Sequence, residues 1–254
     1  MEDRDLVNTG NDLEREHDMT TARTIATALL LALAAASLCA QSSGTAGREL
    51  TIEEKFLSKS IELQVLKEQA FAVEYDSKMI ALDDLAEKIG KGSLAGDEAD
   101  DVEFILEYLA MEGTSHTVRE GLRLANYFPD VRRRATELLG KIRTEQSKNA
   151  LITVLLTDNE PMVRAQAAYS LGELGMNKDD EVVAALVFAV EREDHTRADN
   201  NWGFAMALAF EKLHQKTGGL KYPGAFRALV KISQGNYLAT VRQKALQVLD
   251  LMKR

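Results

Sequence analysis

The side chains that most often carry out chemistry in proteins are few in this sequence and lie far apart. The chain of 254 residues has one cysteine, Cys39, which excludes an intramolecular disulfide and a zinc site built from cysteines. The histidines form neither an HExxH motif nor a pair at ligand spacing; they are His17, His116, His195 and His214. We therefore expect no metal site and no cofactor.

Motifs for nucleophilic catalysis and for phosphate binding are also missing. No GxSxG sequence occurs, and Gly90-Lys91-Gly92 lacks the spacing of a phosphate-binding loop. Three pairs of neighbouring aspartates fall at predicted loops or helix starts, where carboxylates cap helices: Asp83-Asp84, Asp100-Asp101 and Asp179-Asp180. The sequence therefore predicts a protein that is not an enzyme.

Composition and charge narrow the class of protein further. The chain has 31 Lys and Arg against 40 Asp and Glu, a net charge of −9, which disfavours a nucleic-acid partner. Aromatic residues make up 6% and there are only 3 prolines, whereas Ala, Leu and Glu are abundant. Because this composition favours helices over a β-sandwich or barrel, we expect an all-α protein.

An uncharged apolar segment near the N-terminus predicts export. The run from Ile25 to Ala40 has 16 residues, fewer than the about 20 that a membrane-spanning helix needs. Arg23 precedes it and small residues follow its leucines, as in a secretory signal peptide. We predict a signal peptide at 19–42, cleaved after Ala40 or Ser42, and a linker at 43–49. The mature protein would then lie in the periplasm or elsewhere in a bacterial cell envelope.

Two alternatives to simple cleavage stay open. A retained segment would anchor the protein in the inner membrane, with the helices that follow it as a stalk, and acylation of Cys39 would make a lipoprotein. Either way, the chain would contact a membrane only through this segment. Residues 1–18 carry seven acidic and two basic residues, the opposite of a signal's positive start. We therefore predict Met19 as the true start and residues 1–18 as a disordered over-extension.

Residues 50–112 predict an N-terminal helical segment. Thr51 and Glu54 have the spacing of a capping box, and the apolar stripe after them predicts a helix to about Tyr75. Two further helices are predicted, from Ser77 to Ile89 and from Val102 to Met111, with an acidic loop at 96–101 between them.

Residues 113–254 repeat a V-R-x-x-A-x-x-x-L pattern. Its alanines fall at Ala135, Ala167, Ala205 and Ala245, at intervals of 32, 38 and 40 residues, which are typical of solenoid repeats. An apolar helix is predicted before each copy, at 118–127, 150–156, 182–190 and 225–232. Since Val, Ala and Leu form one stripe that a single helix pair cannot bury, the pairs are expected to stack. A strand beyond residue 114, or different environments for the four alanines, would contradict this interpretation.

The pattern at 130–140, 160–172 and 241–249 resembles HEAT repeats, which are related to armadillo repeats. The resemblance implies an α-solenoid of about four stacked helical hairpins. It also implies that Arg132, Arg164 and Arg242 reach acidic or carbonyl groups of neighbouring repeats, with Asp130, Asp158 and Glu160 as candidate partners. The structural repeat positions are then Asp130, Arg132, Ala135, Arg164, Ala167, Ala205, Arg242 and Ala245.

The second helix of each repeat would present an outward strip. In the register of the pattern, the strip contains the residues two and six positions beyond each valine: Arg133 and Glu137, Ala165 and Tyr169, Gly203 and Ala207, Gln243 and Gln247. Such a strip suits a protein or peptide partner. We predict partner binding by Arg133, Glu137, Tyr169, Trp202 and Phe210, the last three as aromatic anchors.

The sequence therefore predicts an exported, non-catalytic scaffold or adaptor for an unidentified protein or peptide. Alternatives are a membrane-tethered structural protein, an arginine stripe that grips phosphate or an acidic peptide, and a HEAT-like enzyme or nucleic-acid-binding protein.

Overall fold

A computed structural model of the chain describes residues 52–92, 94 and 96–253. The predictions for the leader, the linker, Cys39 and the Thr51 cap lie outside these residues. Contacts divide the chain into two units between Leu57 and Ser58, so the described part of the first unit is only the start of one helix. Among the described residues, no helix is both long and apolar enough to cross a membrane.

The described residues form ten α-helices and one small β-hairpin. The helices are α1 (Ile52–Phe71), α2 (Tyr75–Lys91), α3 (Asp97–Ala110), α4 (Pro129–Leu139), α5 (Glu145–Thr157), α6 (Pro161–Leu174), α7 (Glu181–Arg192), α8 (Asn200–Thr217), α9 (Pro223–Gln234) and α10 (Ala239–Met252). The strands are β1 (Arg119–Glu120) and β2 (Arg123–Leu124), and a 3-10 turn (Lys178–Asp180) precedes α7.

Within the second unit the helices pack in two rows. Helices α3, α5, α7 and α9 form the first row, and α2, α4, α6, α8 and α10 form the second row. Each first-row helix also packs against the next helix along the chain, which gives the four stacked pairs α3–α4, α5–α6, α7–α8 and α9–α10. The described part of the chain is thus an α-solenoid of helix pairs, as the repeat pattern predicts.

Residues at the helix ends explain where the helices begin and stop. The three prolines of the chain each occupy the first position of a helix, in α4, α6 and α9, where the missing amide hydrogen costs nothing. Asp199 caps α8 because its carboxylate accepts a hydrogen bond from the Trp202 amide at 2.8 Å. Gly92, Gly175 and Gly218 end α2, α6 and α8 in the left-handed conformation that favours glycine.

Small residues let the second row pack closely. At Gly172 of α6, a Cβ atom would lie 2.9 Å from the Cα atom of Ala209 in α8. At Gly140, after α4, a Cβ atom would lie 2.6 Å from the Cβ atom of Ser170 in α6. Neighbouring backbones therefore meet where their side chains are smallest, and the fully buried leucines and valines fill the space around these points.

The helix predicted at 118–127 is wrong. These residues belong to a long loop, 111–128, which contains the β1–β2 hairpin, and Gly121 makes its turn with a positive φ of 63°. The side chain of Asn126 replaces helical hydrogen bonds, because its Oδ1 accepts from the Val118 amide and its Nδ2 donates to the His116 carbonyl. A strand therefore does occur beyond residue 114, but it is two residues long and leaves the all-α class unchanged.

The first helix of the first pair is α3 instead. It begins at Asp97, so most of the acidic run predicted as a loop at 96–101 forms the first turn of a helix, where it faces the positive end of the helix dipole. The boundary predicted between residues 112 and 113 does not separate two compact units, because α2 and α3 belong to the same two rows as the later helices.

The third repeat is one residue out of the predicted register. Counted from the first residue of α4, α6, α8 and α10, the seventh positions are Ala135, Ala167, Met206 and Ala245, and all four are buried. Ala205 is only half-buried and does not share the environment of the other alanines. The intervals are therefore 32, 39 and 39 residues, which is more regular than the alanine spacing.

Candidate functional site

The outward strip of the second row is the surface that this register defines. The strip consists of the fifth and ninth residues of four second-row helices: Arg133 and Glu137 in α4, Ala165 and Tyr169 in α6, Phe204 and Leu208 in α8, Gln243 and Gln247 in α10. The predicted α8 members, Gly203 and Ala207, are buried because of the one-residue shift. The corrected strip therefore replaces two small residues by two large apolar ones.

The two other predicted aromatic anchors do not reach this surface. Trp202 and Phe210 are fully buried, because they are the third and eleventh residues of α8 and lie on its inward stripe. The indole of Trp202 lies 5.2 Å from the guanidinium of Arg164, inside the repeat. Their prediction as partner-binding residues is wrong, and Phe204 takes the outward place that Trp202 was expected to fill.

An apolar depression of about 280 Å³ lies between α6 and α8 on the outward strip, and we call it the apolar groove. Three large side chains of the groove are exposed to solvent. The exposed fraction is 48% for Met162, 41% for Phe204 and 37% for Tyr169. Leu208 contributes further apolar surface, and Arg133 of α4 borders the groove. Contiguous exposed apolar side chains with a polar border are typical of protein-binding surfaces.

A second depression, of about 560 Å³, continues the groove towards the ends of α4 and α6, and we call it the charged depression. Tyr169 and Gln166 line both depressions, so the two form one continuous surface. The charged depression is lined by Glu137, Lys141, Arg143, Glu173 and Lys216. Its two carboxylates are the only acidic groups among these lining residues.

Glu173 fixes the position of Tyr169. A hydrogen bond from Lys212 lowers the pKa of the Glu173 carboxyl to about 2 against the opposing effect of partial burial, and bonds from Lys216 and Tyr169 act in the same direction. The Lys212 Nζ also lies 5.2 Å from the centre of the Tyr169 ring. The ring of Tyr169 therefore lies against Lys212, and this contact favours one orientation of the ring before a partner binds.

Glu137 is also paired with cations, which lie three and four residues away in the chain. Partial burial would raise the pKa of its carboxyl, but hydrogen bonds from Arg134 and Lys141 outweigh burial and lower it. Both carboxylates of the charged depression are thus ionised and already occupied by cations. Arg133, by contrast, makes no ion pair with any residue that the structure describes.

The repeat arginines occupy the fourth position of their helices and have different environments. Arg132 is fully buried and donates from Nε to Asp158 at 2.7 Å, and from Nη1 to the Glu112 carbonyl at 3.3 Å. Arg164 donates to Glu193 at 2.8 Å. Asp130 is exposed, and Glu160 accepts a hydrogen bond from the Tyr127 hydroxyl at 2.5 Å, so Asp158 is the acidic partner of Arg132.

These contacts argue against the alternative of a phosphate-gripping arginine stripe. The guanidinium of Arg132 has no solvent access and its Asp158 partner is buried, while the equivalent residue in α8 is Gly203, not an arginine. Arg242 is exposed. The four positions therefore do not make a continuous row of accessible cations.

Sequence reasoning missed a buried ionic cluster beside the long loop. Lys78 of α2 lies 2.9 Å from Glu112 and donates to the Ala70 carbonyl at 2.9 Å, with both charged side chains almost fully buried. Glu112 also joins Arg132 through its carbonyl oxygen. The residues are far apart in sequence, so only the packed helices reveal that they fix the base of the loop.

Two of the histidines, none of which was predicted as a metal ligand, have contacts within the fold. The Nε2 of His195 lies 2.8 Å from the Val190 carbonyl and its Nδ1 lies 3.0 Å from the Tyr237 hydroxyl. The ring of His116 stacks on Tyr108. In the part of the chain that the structure describes, no group of three His, Cys, Asp or Glu side chains could hold a metal ion.

Comparison with known proteins gives three findings. Residues 119–199 match the family described as HEAT repeats. A solved structure similar to this chain is that of the complex of CpcE and CpcF of phycocyanin lyase from Nostoc sp. PCC7120; the match has 16% sequence identity and a TM-score of 0.41, and covers 81% of this chain and 89% of that chain. No curated protein matches the sequence.

Proposed function

We propose that this chain, whose residues 119–199 match the HEAT-repeat family, is a non-catalytic scaffold that binds a peptide segment of a partner protein in the apolar groove. The observation that carries the proposal is the contiguous exposure of Met162, Tyr169 and Phe204 on neighbouring helices of one row. Burying large apolar side chains of this kind supplies most of the binding free energy in protein interfaces.

The charges around the groove indicate the chemistry of the peptide. Arg133 borders the apolar side chains and has no ion pair among the described residues, so it can pair with a carboxylate of the partner. Glu137 and Glu173 are occupied by their own cations and add little attraction for a basic peptide. The expected ligand is a segment with two or three large apolar side chains beside one acidic group.

The same contacts support the non-catalytic part of the proposal at this surface. A general acid needs a carboxyl that holds a proton near neutral pH, whereas the pKa values of Glu137 and Glu173 are both lowered. Neither carboxylate can serve as that acid without first losing its lysine or arginine partners.

A displayed library of random peptides, selected against the full chain, tests the proposal. Enriched peptides are labelled and titrated against the wild-type chain and against Phe204→Ala and Arg133→Ala. We expect each substitution to weaken binding at least tenfold without loss of helical circular dichroism, since both residues lie at the surface. Phe188→Ala is the matched control, because Phe188 is exposed to a similar extent but lies on α7 in the first row.

Two results contradict this function. Selection that yields no apolar, acidic consensus removes the support for a peptide groove. Equal losses from Phe204→Ala and Phe188→Ala show that binding does not occur at the outward strip.

Export to the cell envelope is the second part of the proposal, and it is supported by the apolar run at 25–40 and the small residues after it. The intact mass of the protein isolated from its own host tests it. A mature chain that begins near Gln41 supports export, whereas a chain that retains residues 1–18 contradicts the Met19 start. Release without detergent separates the exported form from the membrane-tethered alternative.

A further inference from the structure

Leu122 is the most exposed large apolar residue of the chain that the structure describes, with 99% of its surface accessible to solvent. It lies in the turn between β1 and β2, at the tip of loop 111–128. Arg119 and Arg123 flank it, and neither makes an ion pair within the described residues. The tip therefore presents one leucine beside two arginines, with Glu120 directly opposite Arg123 across the hairpin.

Hydrogen bonds and close packing at the base of the loop hold the hairpin in place. Asn126 is buried and bonds both to the Val118 amide and to the His116 carbonyl, and the Gly113 amide donates to the same carbonyl at 2.8 Å. At Gly113, with φ 75°, a Cβ atom would lie 2.5 Å from the Asn126 carbonyl oxygen, so the loop closes tightly here. A pre-ordered tip loses little conformational entropy on binding, which favours its use as a contact.

The same chain carries a surface that complements the tip. A depression of about 390 Å³ between α1 and α2 contains the exposed side chains of Ile61 and Val65. Three carboxylates border it, from Glu62, Asp84 and Glu87, and two lysines, Lys88 and Lys91, line it as well. Glu62 and Glu87 pair with lysines, but Asp84 is exposed and has no ion pair within the described residues.

We infer that Leu122 of one copy of this chain inserts into the α1–α2 depression of a second copy. Leu122 packs against Ile61 and Val65 there, and Arg119 or Arg123 pairs with Asp84. The leucine then covers the apolar side chains of the depression, and an arginine of the tip meets Asp84, which has no ion pair within the described residues. Because the two surfaces differ, the contact is head-to-tail, and further copies can add until a ring closes.

Sedimentation velocity of the full chain at increasing concentration tests this self-association. We expect the wild-type sedimentation coefficient to rise with concentration, and Leu122→Asp to weaken association at least tenfold. Leu238→Asp is the matched control, because Leu238 is also exposed but lies at the start of α10, where an aspartate is a good cap. All variants keep the same N-terminal residues, so any association through that segment cancels in the comparison.

A mixing experiment tests the head-to-tail geometry. Leu122→Asp retains the depression, and Val65→Asp retains the tip, so neither variant associates with itself, but the two together form a 1:1 dimer and nothing larger. The single substitution Asp84→Arg reverses the charge at the depression and weakens association. A double variant that also carries Arg123→Asp regains part of the lost association.

Four results overturn the inference. The wild-type chain stays monomeric at every concentration; Leu122→Asp associates as strongly as the wild type; or the two variants fail to form a dimer when mixed. Leu122-dependent binding to vesicles of phosphatidylcholine and phosphatidylglycerol by a monomeric chain would assign the tip to a membrane surface instead, and also overturns it.

Discussion

Gly203 shows how one residue changes a repeat. It occupies the fourth position of α8, which is an arginine in α4, α6 and α10, and its missing side chain leaves room for the ring of Tyr237. A Cβ atom at Gly203 would lie 2.5 Å from Cε1 of that ring. Tyr237 is buried and its hydroxyl contacts His195, so the ring has little freedom to move. The glycine is therefore a packing requirement and not a chance loss of the arginine.

We expect Gly203→Ala to lower the free energy of unfolding by about 1–3 kcal/mol, because the extra methyl group overpacks the Tyr237 site. Urea unfolding followed by circular dichroism measures the change. Gly90→Ala is the control: Gly90 lies in α2 with no atom near the added Cβ, and alanine there should stabilise the helix by about 0.5–1 kcal/mol. Equal effects at the two sites would contradict the packing argument.

The Arg132–Asp158 pair should cost more to break than an ion pair at the surface. Removing one partner of a buried pair leaves an uncompensated charge, so we expect Arg132→Met to lower the free energy of unfolding by about 3–5 kcal/mol. Arg134→Met, on the same helix, breaks the partly exposed contact with Glu137 and should cost less than about 1 kcal/mol. Urea unfolding of both variants gives the comparison, and similar losses would show that Arg132 contributes only surface-type electrostatics.

Glu173 gives a pH-dependent contribution to stability. The pKa of its carboxyl is about 2 in the folded chain against 4.5 for an unperturbed glutamate, so folding favours the ionised form. Its contribution is fully present above pH 4.5 and is lost as the pH falls from 4.5 towards 2. Because the side chain is 37% exposed, solvent screening limits this contribution to about 1 kcal/mol or less.

We therefore expect Glu173→Gln to be less stable than the wild type at pH 7, with a difference that narrows below pH 4.5. Urea unfolding at pH 7, 4 and 3 measures the difference. Glu191→Gln, at an exposed position of α7, controls for the loss of a surface charge. A difference between wild type and Glu173→Gln that is constant over this pH range would contradict the effect of Lys212 and Lys216.

At the scale of elements, loop 111–128 depends on one side chain. Asn126 supplies two side-chain hydrogen bonds at the base of the hairpin, to the Val118 amide and the His116 carbonyl, so Asn126→Ala should loosen the tip without unfolding the helices around it. We expect hydrogen exchange of the Val118 amide to accelerate by at least tenfold in this variant. The amides of α6 provide the internal control and should exchange as in the wild type.

The sequence predicts best those helices whose buried stripe matches the Val and Ala positions of the repeat pattern. Val131 and Ala135, or Val163 and Ala167, recur at helical spacing and identify α4 and α6, because both residues of each pair are buried on one face. In α8 the same stripe is Trp202 and Met206, and neither resembles the pattern, so the alanine at 205 was aligned in its place. That single shift also moved the predicted outward strip from Phe204 to Gly203.

The local sequence pattern could not identify loop 111–128 or the buried Lys78–Glu112 ion pair beside it. The segment at 118–127 has apolar residues at spacings compatible with a helix, and its hairpin depends on the Asn126 side chain and on the left-handed Gly121. The Lys78–Glu112 pair joins residues 34 positions apart, so no short window of sequence contains it. The positions of Arg133, Glu137 and Tyr169 on the strip could be predicted because their helices were in the correct register, and their binding to a partner stays a prediction.

At the scale of the second unit, each helix pair is stabilised by its neighbours. Helices α6 and α8 pack against second-row helices on both sides, and their inward residues, including Phe210 and Leu171, are fully buried. Among the described helices, α10 has a second-row neighbour on one side only. In a stack with nearest-neighbour coupling, helices with fewer interfaces open first.

We therefore expect amides of α6 and α8 to exchange only through global unfolding, and those of α10 through local opening. Hydrogen exchange at several low urea concentrations measures this, because global opening depends steeply on urea and local opening does not.

Met206→Ala, which leaves a cavity costing about 2–5 kcal/mol, should accelerate exchange in every helix limited by global unfolding. Val248→Ala, at a buried position of α10, should accelerate exchange mainly in α10. Equal urea dependence for α10 and α6 in the wild type would show that the stack unfolds as one unit and would contradict nearest-neighbour coupling.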